Sequence, residues 1–205
     1  MSNRHVIVFE LIIYITYRVI ILKKNILAVI LLLSFINAPA NAWTGNANAF
    51  FGQKTLDKDD WEPADKQVEL GVLFDFKQSQ WPVSIAIDLL TSKDEVTISG
   101  IDSEARTAEF DVGVRKIWDI SGSSIRPYIG GGIAFVSAEI KETPTNISVN
   151  DTRTGFWLNG GIYWTLTQYF NLGLDLRYSQ ADVTLYNTDV EAGGTHVGII
   201  LGYHW

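Results

Sequence analysis

Beyond residue 42, apolar and polar residues alternate one by one in segment after segment of the chain. Residues 67–76 read QVELGVLFDF, residues 108–115 read AEFDVGVR, and residues 170–179 read FNLGLDLRYS. Successive side chains of a β-strand point to opposite faces, so this period of two predicts strands with one apolar and one polar face. Weaker alternation predicts strands at 83–89, 129–135, 155–164 and 196–205, and a first strand at about 46–54 is placed by elimination.

The predicted strands number eight and form one all-β domain, residues 43–205. The connections between them alternate in length. Those at 77–82, 119–124 and 165–169 are short, and those near 55–66, 92–106, 141–153 and 182–194 are long and polar. Short turns at one end and long loops at the other are typical of an outer-membrane barrel. We therefore predict an eight-stranded antiparallel up-and-down transmembrane β-barrel, with acidic extracellular loops and both termini at the periplasmic end.

Charged residues lie on the polar face of the predicted strands. Two kinds of barrel would turn this face in opposite directions. A soluble lipocalin-like barrel would turn them to water, and a membrane barrel would turn them into its lumen. Glycines on the same face, such as Gly113 and Gly161, fit a narrow, crowded lumen. We therefore predict a lumen polar network of Glu69, Asp75, Asp88, Glu109, Asp111, Arg115, Asp175 and Arg177.

Aromatic residues near the predicted short turns support the membrane barrel over the soluble one. Such residues form girdles where a transmembrane barrel meets the two interfaces of the bilayer. The predicted girdle consists of Phe76, Trp81, Trp118, Trp164, Phe170, Tyr203 and Trp205.

The first 42 residues contain a predicted secretory signal peptide. Lys23 and Lys24 precede an apolar run at 26–36, which is too short to span a bilayer. Ala40-x-Ala42 fits the small-residue rule for cleavage and makes Trp43 the new N-terminus; a cut after Ala40 is the alternative.

Residues 6–22 are also apolar, but Glu10 and Arg18 interrupt them. A charge at the centre of a lipid-facing helix costs roughly 3 kcal/mol, which argues against a membrane span. We interpret this part as an extension upstream of the true translation start, with a signal anchor in the inner membrane as the alternative.

Two short motifs give the predicted barrel a family resemblance. The run Arg126-Pro-Tyr-Ile-Gly-Gly-Gly132 in the fifth strand resembles the Gly-rich strand of the small outer-membrane barrels typified by OmpA and OmpX. The C-terminal residues Gly202-Tyr-His-Trp205 resemble the sorting signal that the barrel assembly machinery reads. That signal most often ends in Phe, whereas this chain has Trp205. The resemblance implies an outer-membrane location and a C-terminal sorting strand made of Val197, Ile199, Leu201, Tyr203 and Trp205.

Charge and cysteine content exclude several classes of function. The formal net charge is −7, and there is no basic stripe of the kind that neutralises nucleic-acid phosphates. The absence of cysteine excludes disulfides, thiol nucleophiles, thiolate metal sites and lipid attachment through cysteine. We expect no cofactor, no bound metal and no nucleic acid. The expected partners of this predicted monomer are outer-membrane lipid, lipopolysaccharide and, during biogenesis, the barrel assembly machinery.

Three functions fit the predicted barrel. The main hypothesis is a non-enzymatic protein of envelope integrity or surface interaction, whose lumen is plugged because Arg115 and Arg177 pair with neighbouring acids. The second is a narrow ion or solute channel. The third is a lipid A-modifying enzyme, since lipid A acylases and deacylases share this fold.

The enzyme hypothesis depends on His196. His204 lies roughly 26 Å away by strand rise and cannot act together with it. The His-x-Ser pair of the deacylases is missing, because Gly198 stands at that position, and Ser179 on the neighbouring strand is the one serine we expect near His196. We predict a histidine in the lumen or at its rim without a catalytic role.

The first long loop contains Asp57, Asp59 and Asp60. Their spacing resembles the start of a calcium loop, but the Gly and the terminal Glu of such a loop are absent. We predict a solvated surface loop, with weak divalent-cation binding as the alternative.

Overall fold

The computed structural model describes residues 43–98, 101–143 and 148–205. The predicted signal peptide and the extension before it lie outside the described residues. The described chain forms a closed antiparallel barrel of eight strands: β1 (Trp43–Thr55), β2 (Lys66–Gln78), β3 (Ser84–Ile98), β4 (Ile101–Ile117), β5 (Ile125–Thr143), β6 (Ser148–Thr165), β7 (Phe170–Gln180) and β10 (Gly194–His204). Around the barrel these strands follow the order β1-β10-β7-β6-β5-β4-β3-β2. The predicted fold class is confirmed.

Two small elements lie in the connections at the long-loop end. Helix α1 (Lys58–Trp61) follows β1, and the side chain of Asp57 caps its N-terminus. A hairpin of β8 (Asp182–Leu185) and β9 (Thr188–Glu191) lies between β7 and β10. Its turn residues Tyr186 and Asn187 have φ of 50° and 63°, as a two-residue type I′ turn requires. Among the described residues, no helix has the length and apolar character needed to cross a bilayer.

Two of the predicted long loops are wrong. β3 and β4 remain paired as far as Ile98 and Ile101, through the predicted loop at 92–106. β5 and β6 remain paired as far as Lys141 and Ser148, through the predicted loop at 141–153. These strand ends were predicted as loops because apolar and polar residues alternate along a strand only where one of its faces lies in an apolar environment. These ends carry polar residues on both faces, while their backbone hydrogen bonds continue.

The barrel is apolar outside and polar inside. Along β7, Leu176 is 57% exposed on the outer face, and the next residue, Arg177, is 1% exposed on the inner face. The same contrast holds in the other barrel strands, so the outer surface carries a continuous apolar band. An apolar surface of this extent requires lipid or another apolar partner. Outward residues of the band include Val72, Leu89, Val112, Ile133, Leu158, Leu174 and Ile199.

Candidate functional site

The middle of the barrel interior holds a set of buried ion pairs, here called the central cluster (Asp75, Asp88, Asp111, Arg115 and Arg177). Arg115 donates to Asp88 at 2.7 Å and to Asp75 at 3.3 Å. Arg177 donates to Asp88 and to Asp111. Asp88 Oδ2 therefore accepts from both arginines, and its position joins the two sides of the lumen.

Strand register brings the central cluster together. Asp88 of β3 and Asp111 of β4 are direct cross-strand partners on the inner face, where two carboxylates repel each other. Arg177 reaches them across the barrel from β7 and offsets this repulsion. The Trp157 ring lies 4.9 Å from the Arg177 guanidinium and 6.0 Å from that of Arg115, so its π face adds to the stabilisation of both cations.

Tyrosine and asparagine side chains extend this network towards the short-turn end. Tyr163 donates to Asp75 at 3.2 Å, and Tyr128 donates to Asp175 at 2.6 Å. The two tyrosine rings stack with their centroids 4.5 Å apart. Asn46 donates to Asp75 at 2.6 Å. These neutral donors satisfy carboxylate oxygens that would otherwise be costly to bury.

A second set of charges, here called the upper cluster, lies nearer the long-loop end (Lys54, Glu69, Glu109, Ser179 and His196). Lys54 contacts Glu109 at 2.6 Å, and the Ser179 hydroxyl lies 2.9 Å from the same carboxylate oxygen. His196 Nε2 is 3.0 Å from Ser179 Oγ, and its Nδ1 is 2.8 Å from Glu69. Sequence reasoning missed Lys54, because the first strand alternates poorly and its faces could not be assigned.

The eight residues predicted for the lumen network all lie inside the barrel and are at most 3% exposed. Seven of them belong to the two clusters. Asp175 lies beside them, 3.9 Å from Arg177 Nε, and accepts from Asn159 at 2.8 Å. His204 lies at the other end of β10 from His196, at the short turns.

Side chains fill the lumen closely. A methyl group added at Gly161 would lie 2.4 Å from the Tyr128 hydroxyl, and one at Gly198 would lie 2.5 Å from the Phe50 ring. A recess at the short-turn end, beside Asp75, has a volume of about 30 Å³. That space suits about one water molecule. The polar interior is closely packed at these positions.

The connections 56–65 and 181–193 close the long-loop end and are here called the cap. Trp61 is 5% exposed and packs in an apolar cluster with Leu56, Val183 and Leu185. Its indole donates to the Glu191 carbonyl at 2.7 Å. These contacts cover the upper cluster, and Lys54 donates to the Ala192 carbonyl of the cap at 2.8 Å.

Asp57, Asp59 and Asp60 are exposed, as predicted for a solvated surface loop, whereas the buried Trp61 anchors this loop to the hairpin. Asp57 accepts from the Asp59 amide, and Asp60 accepts from the Glu191 amide at 2.8 Å. Within the described ranges, no three histidine or carboxylate side chains are grouped so that they could hold a metal ion.

Aromatic side chains surround the short-turn end. Trp43 lies 6.0 Å from Phe76 and 5.4 Å from Trp81, between ring centroids. Tyr203 stacks on Tyr169 at 5.5 Å. Sequence reasoning missed Trp43 and Tyr169, which lie at a strand start and in a turn, where alternation gives no signal. The other predicted girdle residues are exposed: Trp118, Trp164, Phe170 and Trp205.

The residues predicted for the C-terminal sorting strand share the outer face of the last strand. Val197, Ile199, Leu201 and Tyr203 are exposed there. Trp205 follows β10, and its backbone exchanges two hydrogen bonds of 3.1 Å with Gly45. The end of the chain therefore closes the barrel against β1.

An apolar exterior, a polar packed interior and an aromatic girdle define a transmembrane β-barrel. The model of the outer membrane protein beta-barrel domain family matches residues 26–204, and the chain belongs to that family. Membership implies a bacterial outer-membrane protein. No curated protein sequence matches the chain.

Solved small barrels have the same fold at low sequence identity. OprG of Pseudomonas aeruginosa is 14% identical, with a TM-score of 0.59 over 80% of this chain and 97% of that one. Ail of Yersinia pestis is 13% identical, with a TM-score of 0.56 over 80% and 99%. Neisserial surface protein A is 15% identical, with a TM-score of 0.53 over 79% and 94%. At these identities the similarity establishes the fold alone.

Proposed function

We propose that this chain is a non-enzymatic, monomeric outer-membrane barrel with a plugged lumen, which serves envelope integrity or surface interaction. The observation that carries the proposal is the bridging of Asp88 by Arg115 and Arg177 across the middle of the lumen. Buried ion pairs of this kind resist separation, because opening them would leave charges unpaired at low dielectric. The cap supports the proposal, since it covers the same lumen at the long-loop end.

Planar-bilayer recording tests the plug against the channel hypothesis. We expect the purified barrel to give no conductance steps. Arg177→Ala removes the cation that joins both sides of the lumen, so this variant is expected to conduct. Arg153→Ala, an exposed cation at the strand ends, is the matched control and should stay silent. Steady conductance of the unmodified barrel would contradict the proposal.

We also propose export by the Sec route with cleavage after Ala42. The predicted product begins at Trp43, the first residue of β1. N-terminal sequencing of the protein from outer-membrane fractions tests this site. A product beginning at residue 41 would favour the earlier cleavage, and one retaining residues 1–42 in the inner membrane would favour the anchor.

One observation favours a lipid A-modifying enzyme as the second candidate function. Ser179, His196 and Glu69 are linked as hydroxyl, imidazole and carboxylate, the order of a catalytic triad. Two observations favour the plug instead. All three side chains are buried beneath the cap, and the Ser179 hydroxyl also contacts Glu109 at 2.9 Å.

Mass spectrometry of lipid A separates these two functions. If the protein is a hydrolase, the change in lipid A acylation that it causes should disappear in Ser179→Ala and in His196→Ala. His204→Ala on the same strand, and Ser92→Ala in the same lumen, are the controls. We expect identical spectra for all four variants, the unmodified protein and a deletion strain. An acyl change that depends on Ser179 and His196 alone would make the chain an enzyme.

A further inference from the structure

A notch interrupts the outer surface of the barrel near the long-loop end. β2 begins at Lys66, whereas β3 and β4 run on together to Ile98 and Ile101. The pairing of β2 with β3 accordingly ends at Val68, opposite Lys93. The resulting hollow, here called the notch, has a volume of about 590 Å³ and is lined by Val68, Leu70, Thr91, Lys93, Glu95 and Arg106, together with the acid Asp94 and the inward-facing Ser92.

The floor of the notch is apolar and faces the membrane. Val68 is 70% exposed, and Leu70 beside it is also exposed. Both residues point outwards in the same row as Val72, which belongs to the apolar band of the barrel. A hydrocarbon chain is the natural partner of this floor, since contact with it removes apolar surface from water.

The upper rim of the notch is cationic. Lys93 and Arg106 are direct cross-strand partners. They lie four residues beyond Leu89 and Phe110, the nearest exposed apolar pair below them, which is roughly 13 Å along the strands. Long basic side chains at this distance can reach the boundary between hydrocarbon and headgroups.

Acidic residues near the two cations leave them available. Lys93 contacts Glu95 at 2.9 Å and Glu104 at 3.8 Å, and Arg106 contacts the same Glu104 at 2.9 Å. Lys93, Glu95 and Arg106 are solvent-exposed and Glu104 is partly exposed, and ion pairs at such positions hold their partners weakly. On its other side, Arg106 faces Glu139, which accepts a hydrogen bond from Ser148 at 2.6 Å. A doubly charged phosphate offers both cations a stronger partner than these carboxylates.

We propose that the notch binds a phosphorylated glycolipid of the outer leaflet, the lipid A part of lipopolysaccharide. Lys93 and Arg106 bind its phosphate, and an acyl chain lies on Val68 and Leu70. The proposal rests on the proposed function for the orientation of the barrel, with the long-loop end outward. It does not depend on the plug, because Lys93 and Arg106 belong to neither the central nor the upper cluster.

Binding of lipopolysaccharide to the refolded full barrel in detergent tests the proposal. The test variant is Lys93→Ala/Arg106→Ala. The control is Lys58→Ala/Arg153→Ala, which also removes two exposed cations that contact acids. Heat-modifiable gel migration establishes that both variants are folded. We expect about tenfold weaker binding for the test variant, equivalent to the loss of one or two charge-assisted contacts, and no change for the control.

Three further probes make the outcome decisive. Dephosphorylated lipopolysaccharide should bind the unmodified barrel, the test variant and the control variant equally weakly. Phosphatidylglycerol micelles and inorganic phosphate should compete poorly. Equal binding of lipopolysaccharide by the test variant and the unmodified barrel would overturn the proposal, as would phosphatidylglycerol that binds as well as lipopolysaccharide. Bilayer conductance of the test variant remains that of the unmodified barrel, so failure of the notch and failure of the plug are distinguishable.

Discussion

At the scale of single residues, the interior depends on a few carboxylates that each serve several donors. Asp88 is the clearest case, since one of its oxygens accepts from both Arg115 and Arg177. No neighbour on the same strand can replace it, because the adjacent inward positions are Ala86 and Leu90. The cost of changing such a residue is the cost of leaving buried charges without partners.

Asp88→Ala is therefore expected to lower the free energy of unfolding by about 3–5 kcal/mol, because it leaves two buried guanidinium groups short of a partner. Equilibrium unfolding by urea in lipid vesicles measures this change. Asp94→Ala on the exposed end of the same strand is the control, with an expected change within about 0.5 kcal/mol. Equal stabilities for the two variants would contradict the role given to Asp88.

Packing at the residue scale is tested by two neighbouring glycines. Gly161→Ala places a methyl group 2.2 Å from the Leu174 carbonyl oxygen and 2.4 Å from the Tyr128 hydroxyl, and should cost about 1–3 kcal/mol. At Gly160 the nearest atom, the Tyr128 carbonyl oxygen, is 3.6 Å away, so Gly160→Ala should be tolerated. The same unfolding measurement compares them. Equal stabilities for the two variants would contradict the close packing around Gly161.

At the scale of elements, alternation of hydropathy predicted the barrel strands but not their upper ends. Period two is visible in sequence where one face meets lipid and the other meets polar side chains, as in β7. It fades in β5 and β6 beyond Phe135 and Phe156, where both faces carry polar residues. The hairpin β8–β9 was missed for a different reason, since each of its strands has four residues.

The cap is an element-scale device whose stability depends on Trp61. Trp61→Ala removes the packing against Leu185 and the hydrogen bond to the Glu191 carbonyl, so the cap should loosen while the barrel persists. Limited proteolysis of the folded protein is expected to cleave within 181–193 much faster in this variant. Trp118→Ala, in a turn at the opposite end, should leave that rate unchanged. Unaltered cleavage in Trp61→Ala would show that other contacts hold the cap.

At the scale of the whole molecule, closure brings together residues that no local pattern connects. Glu69 and His196 are 127 positions apart and meet because β1, β2 and β10 are neighbours in the closed sheet. Sequence alternation assigned Glu69 to the polar face and left its partner unknown. Likewise, the alternation predicted that Arg115 and Arg177 pair with neighbouring acids. It could not predict that both arginines bind the same Asp88, because that contact depends on the radius of an eight-stranded barrel.

The central claim is that the polar faces of the strands point inward and the apolar faces meet lipid. Because the chain has no cysteine, single substitutions can be labelled cleanly with a fluorophore. On β7, Leu174→Cys and Leu176→Cys report the outer face, and Asn171→Cys and Ser179→Cys report the inner face. In vesicles of brominated lipid, the two outer labels should be strongly quenched, while the inner positions should resist labelling in the folded protein and escape quenching. Quenching at the inner positions, with the outer positions protected, would contradict this account.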